Sequence, residues 1–221
     1  WSSDVCSSDL PKTLFTAVTG YEPAASGEIV DGQQAAVRAS PAMGQGGLIS
    51  ESQNLFHRQH GSYDIHAIQL TDDGLEVMPG AEKVQIAATT YEGSYIYKRG
   101  EYYYFFGSIN NCCDGASSTY TTVYARSKNL LGPYVNKTGG SLLAGRHEVL
   151  IHNNDNWAGT GHNGEILTDK NGDTWLLYHA YNKKNDSLGR LVLLDQIQWT
   201  VSGWPYVVAS SPSAQAAAPV F

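Results

Sequence analysis

Residues 91–108 read YEGSYIYKRGEYYYFFGS. Two aromatic runs, SYIY and YYYFFG, flank KRGE, where Gly100 supplies the backbone freedom of a tight turn. The stretch predicts a β-hairpin with rings along both strands. One carboxylate, Glu92, stands at the mouth of the first strand among Tyr91, Tyr95 and Tyr97, with no basic residue before Lys98. An acid in that position is either a solvated strand end or a group placed in apolar surroundings so that it keeps its proton.

The same pattern continues outward. YDIHAIQL (63–70) alternates and runs into the turn TDDG, and STYTTVYARS (118–127) is rich in β-branched and aromatic residues. GEILTD, KNGD and TWLLYHAY (164–181) read as a second hairpin about an Asn-Gly turn, and GRLVLLDQIQWT and WPYVV complete the set. Helical periodicity of useful length is absent. Repeated antiparallel hairpins predict an all-β propeller or another closed all-β design over residues 61–208. Residues 209–221, ASSPSAQAAAPVF, read as a small-residue tail or linker.

The chain has 221 residues, enough for one domain with a sizeable core. Tyr (14) and Gly (23) are plentiful and charged residues make up only 16%. A net charge of −7 gives no basic footprint for nucleic acid or an anionic membrane, and no apolar run is long enough to span a bilayer. Residues 1–10, WSSDVCSSDL, resemble a translated sequencing-adapter oligonucleotide and are set aside with Cys6. Residues 11–60 sustain neither alternation nor helical periodicity and read as a damaged or disordered remnant of an N-terminal part. Cys112 and Cys113 are adjacent, so they cannot join distant segments, and their spacing is wrong for zinc.

Taken in order, the aromatic hairpin, the Cys-Cys pair, STYTTVYARSKNLLGPY, GTGHNGEI (159–166) and GRLVLLDQIQWTVSGWPYV resemble glycoside hydrolase family 43, and within it the bacterial endo-α-1,5-L-arabinanases. The resemblance covers roughly residues 60–208. It implies a five-bladed β-propeller, here an incomplete set of blades, with the substrate cleft over its central channel. It also implies hydrolysis of α-1,5-linked arabinan with inversion, by a protein that is a monomer at full length and is extracellular or periplasmic. An exo-acting α-L-arabinofuranosidase or β-xylosidase of the same family, and a non-catalytic carbohydrate-binding propeller, are the alternatives.

Inversion needs two carboxyl groups about 6.5–9.5 Å apart, one protonating the leaving oxygen and one activating water. By resemblance Glu92 occupies the position of the general acid. The general base is not evident, and ESQNLF (51–56) puts Ser52 where the family carries an Asp that tunes the acid. By the same resemblance His162 of GTGHN contacts a cation, commonly calcium, largely through ordered waters, with Asn163 behind it. Taken alone, a single His is more often a hydrogen-bonded structural residue. Cys113, with Cys112, implies a wall of the sugar subsite; the alternatives are a buried apolar pair or a disulfide between neighbours. Tyr120 implies a cleft-lining ring, although a bare Tyr on a strand is more often core. Glu165 reads as structural.

Overall fold

The computed structural model of the chain describes residues 34–38, 47–52, 65–69, 77–88, 91–214 and 218–220. The readings placed on residues 1–33 lie outside them. Among the described residues the architecture is all-β, with only short 3₁₀ turns besides strands.

Strands β1 (Gln34–Arg38), β2 (Gly47–Ser52), β3 (Ile65–Gln69) and β4 (Val84–Ala87) pair antiparallel in sequence order. A second meander follows: β5 (Glu92–Arg99), β6 (Tyr102–Ile109), β7 (Thr121–Ser127) and β8 (Glu148–Ile151). In the third, β9 (Trp157–Gly161) and β10 (Ile166–Thr168) pair with opposite halves of β11 (Thr174–Asn182). Then β12 (Arg190–Trp199) and β13 (Pro205–Tyr206) complete it. Stretches β9 and β10 are thus one strand interrupted at His162–Glu165. Each meander of four antiparallel strands is the blade unit of a β-propeller. A parallel bridge, Thr121 to Thr160, ties the second unit to the third.

The aromatic hairpin forms as its sequence requires. Arg99 lies opposite Tyr102, so Gly100 and Glu101 make the turn, with Gly100 at φ 58°. Alternation then sends neighbouring side chains to opposite faces. Ile96, Phe105, Val123 and Ala125 pack towards the first unit, against Ile65, Ile86 and Tyr134. Tyr95, Tyr104, Phe106 and Tyr124 pack towards the third, against Leu150, Leu176 and Tyr178. Each large side chain buried this way stabilises the fold by about 1.5–3 kcal/mol. A hairpin covered on both faces therefore explains why aromatic residues occupy successive positions.

Two segments differ from their sequence reading. Residues 34–38 and 47–52 are strands of the first unit, although their sequence carries no alternation; they pair antiparallel with each other and, through β2, with β3. The stretch after β13 is hydrogen-bonded to the end of the second unit and to the third. The His152 N–H donates to the Ser210 carbonyl, the Ser213 N–H to Asp195 Oδ1, and the Lys170 N–H to the Val220 carbonyl.

Candidate active site

The first residue of β5 is Glu92, whose register partner is Ser108 at the end of β6. The ladder slips between Glu92 and Tyr95, a bulge, and Gly93 within it has φ 57°. Bulges re-aim a side chain at the rim of a sheet. A Cβ at Gly93 would also lie 3.3 Å from the His162 Cα. Glycine is needed here both for the left-handed backbone and for the close approach of His162.

His162 stands in the interruption between β9 and β10, itself in left-handed backbone at φ 51°. Its N–H donates to the hydroxyl of Ser108 at 2.7 Å, which fixes that conformation. A non-glycine residue held there costs about 1–3 kcal/mol, and such strain concentrates at functional sites. Tyr120, just before β7, reaches both groups. Its hydroxyl donates to Glu92 Oε2 at 2.8 Å and lies 3.4 Å from His162 Nδ1. Since the phenol proton is committed to Glu92, the count of donors assigns Nδ1–H to His162, leaving its Nε2 as an acceptor. The phenol engages one carboxyl oxygen of Glu92, Oε2.

A further histidine completes the group. His179, in the middle of β11, stacks on Tyr120 at 5.8 Å between centroids and lies parallel to His162 at 6.0 Å. Both imidazoles are neutral at ordinary pH. Burial, and then the Arg190 charge, lowers His162 to about 4. For His179, burial acts first and the His162 and Arg190 charges add to it, giving about 3. Both ring nitrogens of His179 and the Oδ1 of Asn163 are buried without a protein partner. Buried polar atoms of this kind are normally satisfied by internal water. Burial also raises the Glu165 carboxyl above the usual carboxylate range.

The metal reading can be tested on these atoms. Among the described residues no three His, Cys, Asp or Glu side chains cluster as they would to hold an ion. Calcium takes about 6–8 oxygens, so a direct protein cage is not formed by these groups. The orphaned acceptors do fit a cation enclosed mainly by water.

Of the residues singled out in the sequence, the structure brings Glu92, Tyr120 and His162 together. Tyr120 is buried, with its hydroxyl engaged by Glu92. Cys112 and Cys113 form a disulfide between neighbours, which the sequence left open. Cys113 is half-buried on the loop after β6, at the end of the hairpin that carries Glu92. His179 and Ser108 were not anticipated. The signal for His179 was a histidine inside the apolar run TWLLYHAY, where an unpaired polar residue calls for a reason. Ser52 lies at the end of β2, opposite Gln34.

Comparison with known proteins decides the family. Residues 49–205 match the model of glycosyl hydrolases family 43. The chain belongs to this family. It is 38% identical over 123 residues to an extracellular exo-α-(1→5)-L-arabinofuranosidase of Cellvibrio japonicus, covering 56% of this chain and 35% of that protein. It is 40% identical over 109 residues to an extracellular endo-α-(1→5)-L-arabinanase of Bacillus subtilis, covering 49% of this chain and 31% of that one. Among solved structures, the Cellvibrio cellulosa α-L-arabinanase complexed with arabinohexaose matches with a TM-score of 0.67 at 28% identity, over 78% of this chain and 56% of that chain. The matches thus span about a third of these curated relatives and about half of the solved chain. The family's five-bladed β-propeller is the fold to which the three meanders belong.

Proposed function

We propose that this chain supplies the acid side of an active site that hydrolyses α-1,5-linked arabinan with inversion of configuration. The observation that carries the reading is the placement of Glu92. A bulge aims it into a cluster with Tyr120 and His162, and the phenol engages one carboxyl oxygen, Oε2. Names of relatives that act on arabinan support the substrate.

In this mechanism the proton on Glu92 passes to the glycosidic oxygen as the bond from that oxygen to the anomeric carbon breaks. A water on the opposite face of the sugar attacks the same carbon and gives its proton to a carboxylate base. We place that base outside the described residues. The half-buried Cys113 would form part of the wall of the sugar subsite. His162 and Asn163 would hold calcium through its water shell. Such a cation would supply fixed positive charge beside the cleft. Relatives named as extracellular support a secreted protein.

Endo action is the preferred mode. Release of mixed short oligosaccharides from linear arabinan would distinguish it from release of a single small product from chain ends. A non-catalytic carbohydrate-binding propeller is the second reading, favoured by Ser52 at the tuning position.

The test is Glu92→Gln in the full-length protein that carries this chain. Turnover of linear arabinan should fall about 10²–10⁴-fold, the usual contribution of general acid catalysis. An arabino-oligosaccharide bearing an acidic phenol should still be cleaved, because that leaving group departs without a proton. Unchanged turnover of arabinan in the variant refutes the assignment, and a wild-type protein that binds arabinan without cleaving it establishes the second reading.

A further inference from the structure

We propose that Tyr120 is a positioning residue for Glu92, held rigid by His179 and Gly161. The inference rests on the reading of Glu92 as the acid and gives Tyr120 a task distinct from touching sugar.

The geometry has three parts. The phenol donates to Glu92 Oε2 at 2.8 Å, so one of the two carboxyl oxygens is engaged. A glutamate has freely turning torsions, and fixing one oxygen confines the other to a narrow arc. The ring is itself confined. It has no exposed surface, and one face stacks on the buried imidazole of His179 at 22° between planes. At Gly161 an added Cβ would fall 2.2 Å from the Tyr120 Cδ1, so the backbone of β9 lies directly against the ring. Finally, the backbone around the ring is held by its neighbours: the Asn153 amide donates to the Ser118 carbonyl at 2.7 Å, and the Thr160 hydroxyl lies 3.4 Å from both the Tyr120 and the Ile151 carbonyls.

These contacts have a chemical consequence. Hydrogen bonding from a clamped donor spares the acid the entropy of being ordered in the transition state. It matters only when the leaving oxygen needs a proton. A merely structural tyrosine would, by contrast, slow every substrate alike when altered.

Tyr120→Phe keeps the ring and its stack and removes the hydroxyl, which donates to Glu92 and lies 3.4 Å from His162 Nδ1. In the full-length protein, kcat on linear arabinan should fall about tenfold to a hundredfold, because the hydrogen bond strengthens as the carboxyl takes on charge in giving up its proton. KM should stay unchanged, and cleavage of an arabino-oligosaccharide with an acidic phenol leaving group should be unaffected. Equal loss on both substrates, or loss on neither, overturns the proposal. Replacing Tyr120 by a ring-fluorinated tyrosine, which alters donor strength with little change in shape, provides a second readout: arabinan turnover should change while that of the activated substrate does not. A lack of any such split there also overturns it. Glu92→Gln is run alongside. If that variant shows the split and Tyr120→Phe does not, the positioning role alone fails. If Glu92→Gln shows none, the acid assignment itself fails.

Discussion

Gly161→Ala is the most demanding test of the packing around Glu92. An alanine Cβ would stand 2.2, 2.6 and 2.7 Å from three ring atoms of Tyr120, against an ordinary contact of 3.4–4 Å. The ring cannot retreat, because it is fully buried, stacked on His179 and hydrogen-bonded to Glu92. Overpacking of this kind costs about 1–3 kcal/mol, and a clash with a confined ring belongs at the upper end. Gly161 is not among the residues at positive φ, so the effect is steric and owes nothing to backbone strain. Gly164, on the same strand interruption, is the internal control. Its added Cβ would meet nothing closer than 3.7 Å, and its φ is likewise not positive. There the loss of unfolded-state freedom should stabilise by about 0.4–1 kcal/mol. Thermal unfolding of the two variants measures the difference. A 3 kcal/mol cost lowers Tm by roughly 6–12 °C in a chain of this size, at about 2–4 °C per kcal/mol. A Gly161→Ala protein that melts with the wild type, or a Gly164→Ala protein that falls equally far, would refute the packing argument.

Two other outcomes follow from the same cluster. His179 is held neutral by burial at about 3, whereas an unfolded histidine titrates near ~6.5. The unfolded state therefore binds the extra proton, and the stability from this group is complete above about pH 6.5 and is lost as pH falls towards its folded value, at about 1.4 kcal/mol per pH unit. Urea midpoints between pH 7 and 5 should fall less steeply in His179→Gln than in the wild type; identical slopes would show that His179 already protonates in the native state. Calcium should raise Tm after chelation by mass action, by about 2.7 kcal/mol of stability at a hundredfold excess over Kd, and His162→Ala should reduce the gain. No calorimetric binding and no change in Tm would remove the cation from the site.

Legibility varied along the chain for physical reasons. The hairpin of residues 92–109 was evident because ring-rich alternation and a glycine turn are local signals, and its register follows from them. Glu92 was visible as an acid out of place. Its partner Tyr120 was singled out too, but neither its burial nor its bond to Glu92 could be read, because both depend on what folds over the ring. Strands β1 and β2 carried no local signal, since their pairing draws on backbone groups that every residue has. His179 was missed because a lone histidine in a strand says nothing of its distance from another strand.

By itself the sequence determined the all-β class, the two main hairpins and the motif order that marks the family, since turn chemistry and alternation are properties of neighbouring residues. Only the tertiary structure decided that Glu92, Tyr120, His162 and His179 meet. Those residues come from different parts of the chain, and a bulge at Gly93, a break at His162 and the missing side chain of Gly161 let Glu92, Tyr120 and His162 approach one another and His179 stack on Tyr120. Contact between groups far apart in sequence is set by how blades stack, and no local pattern records it.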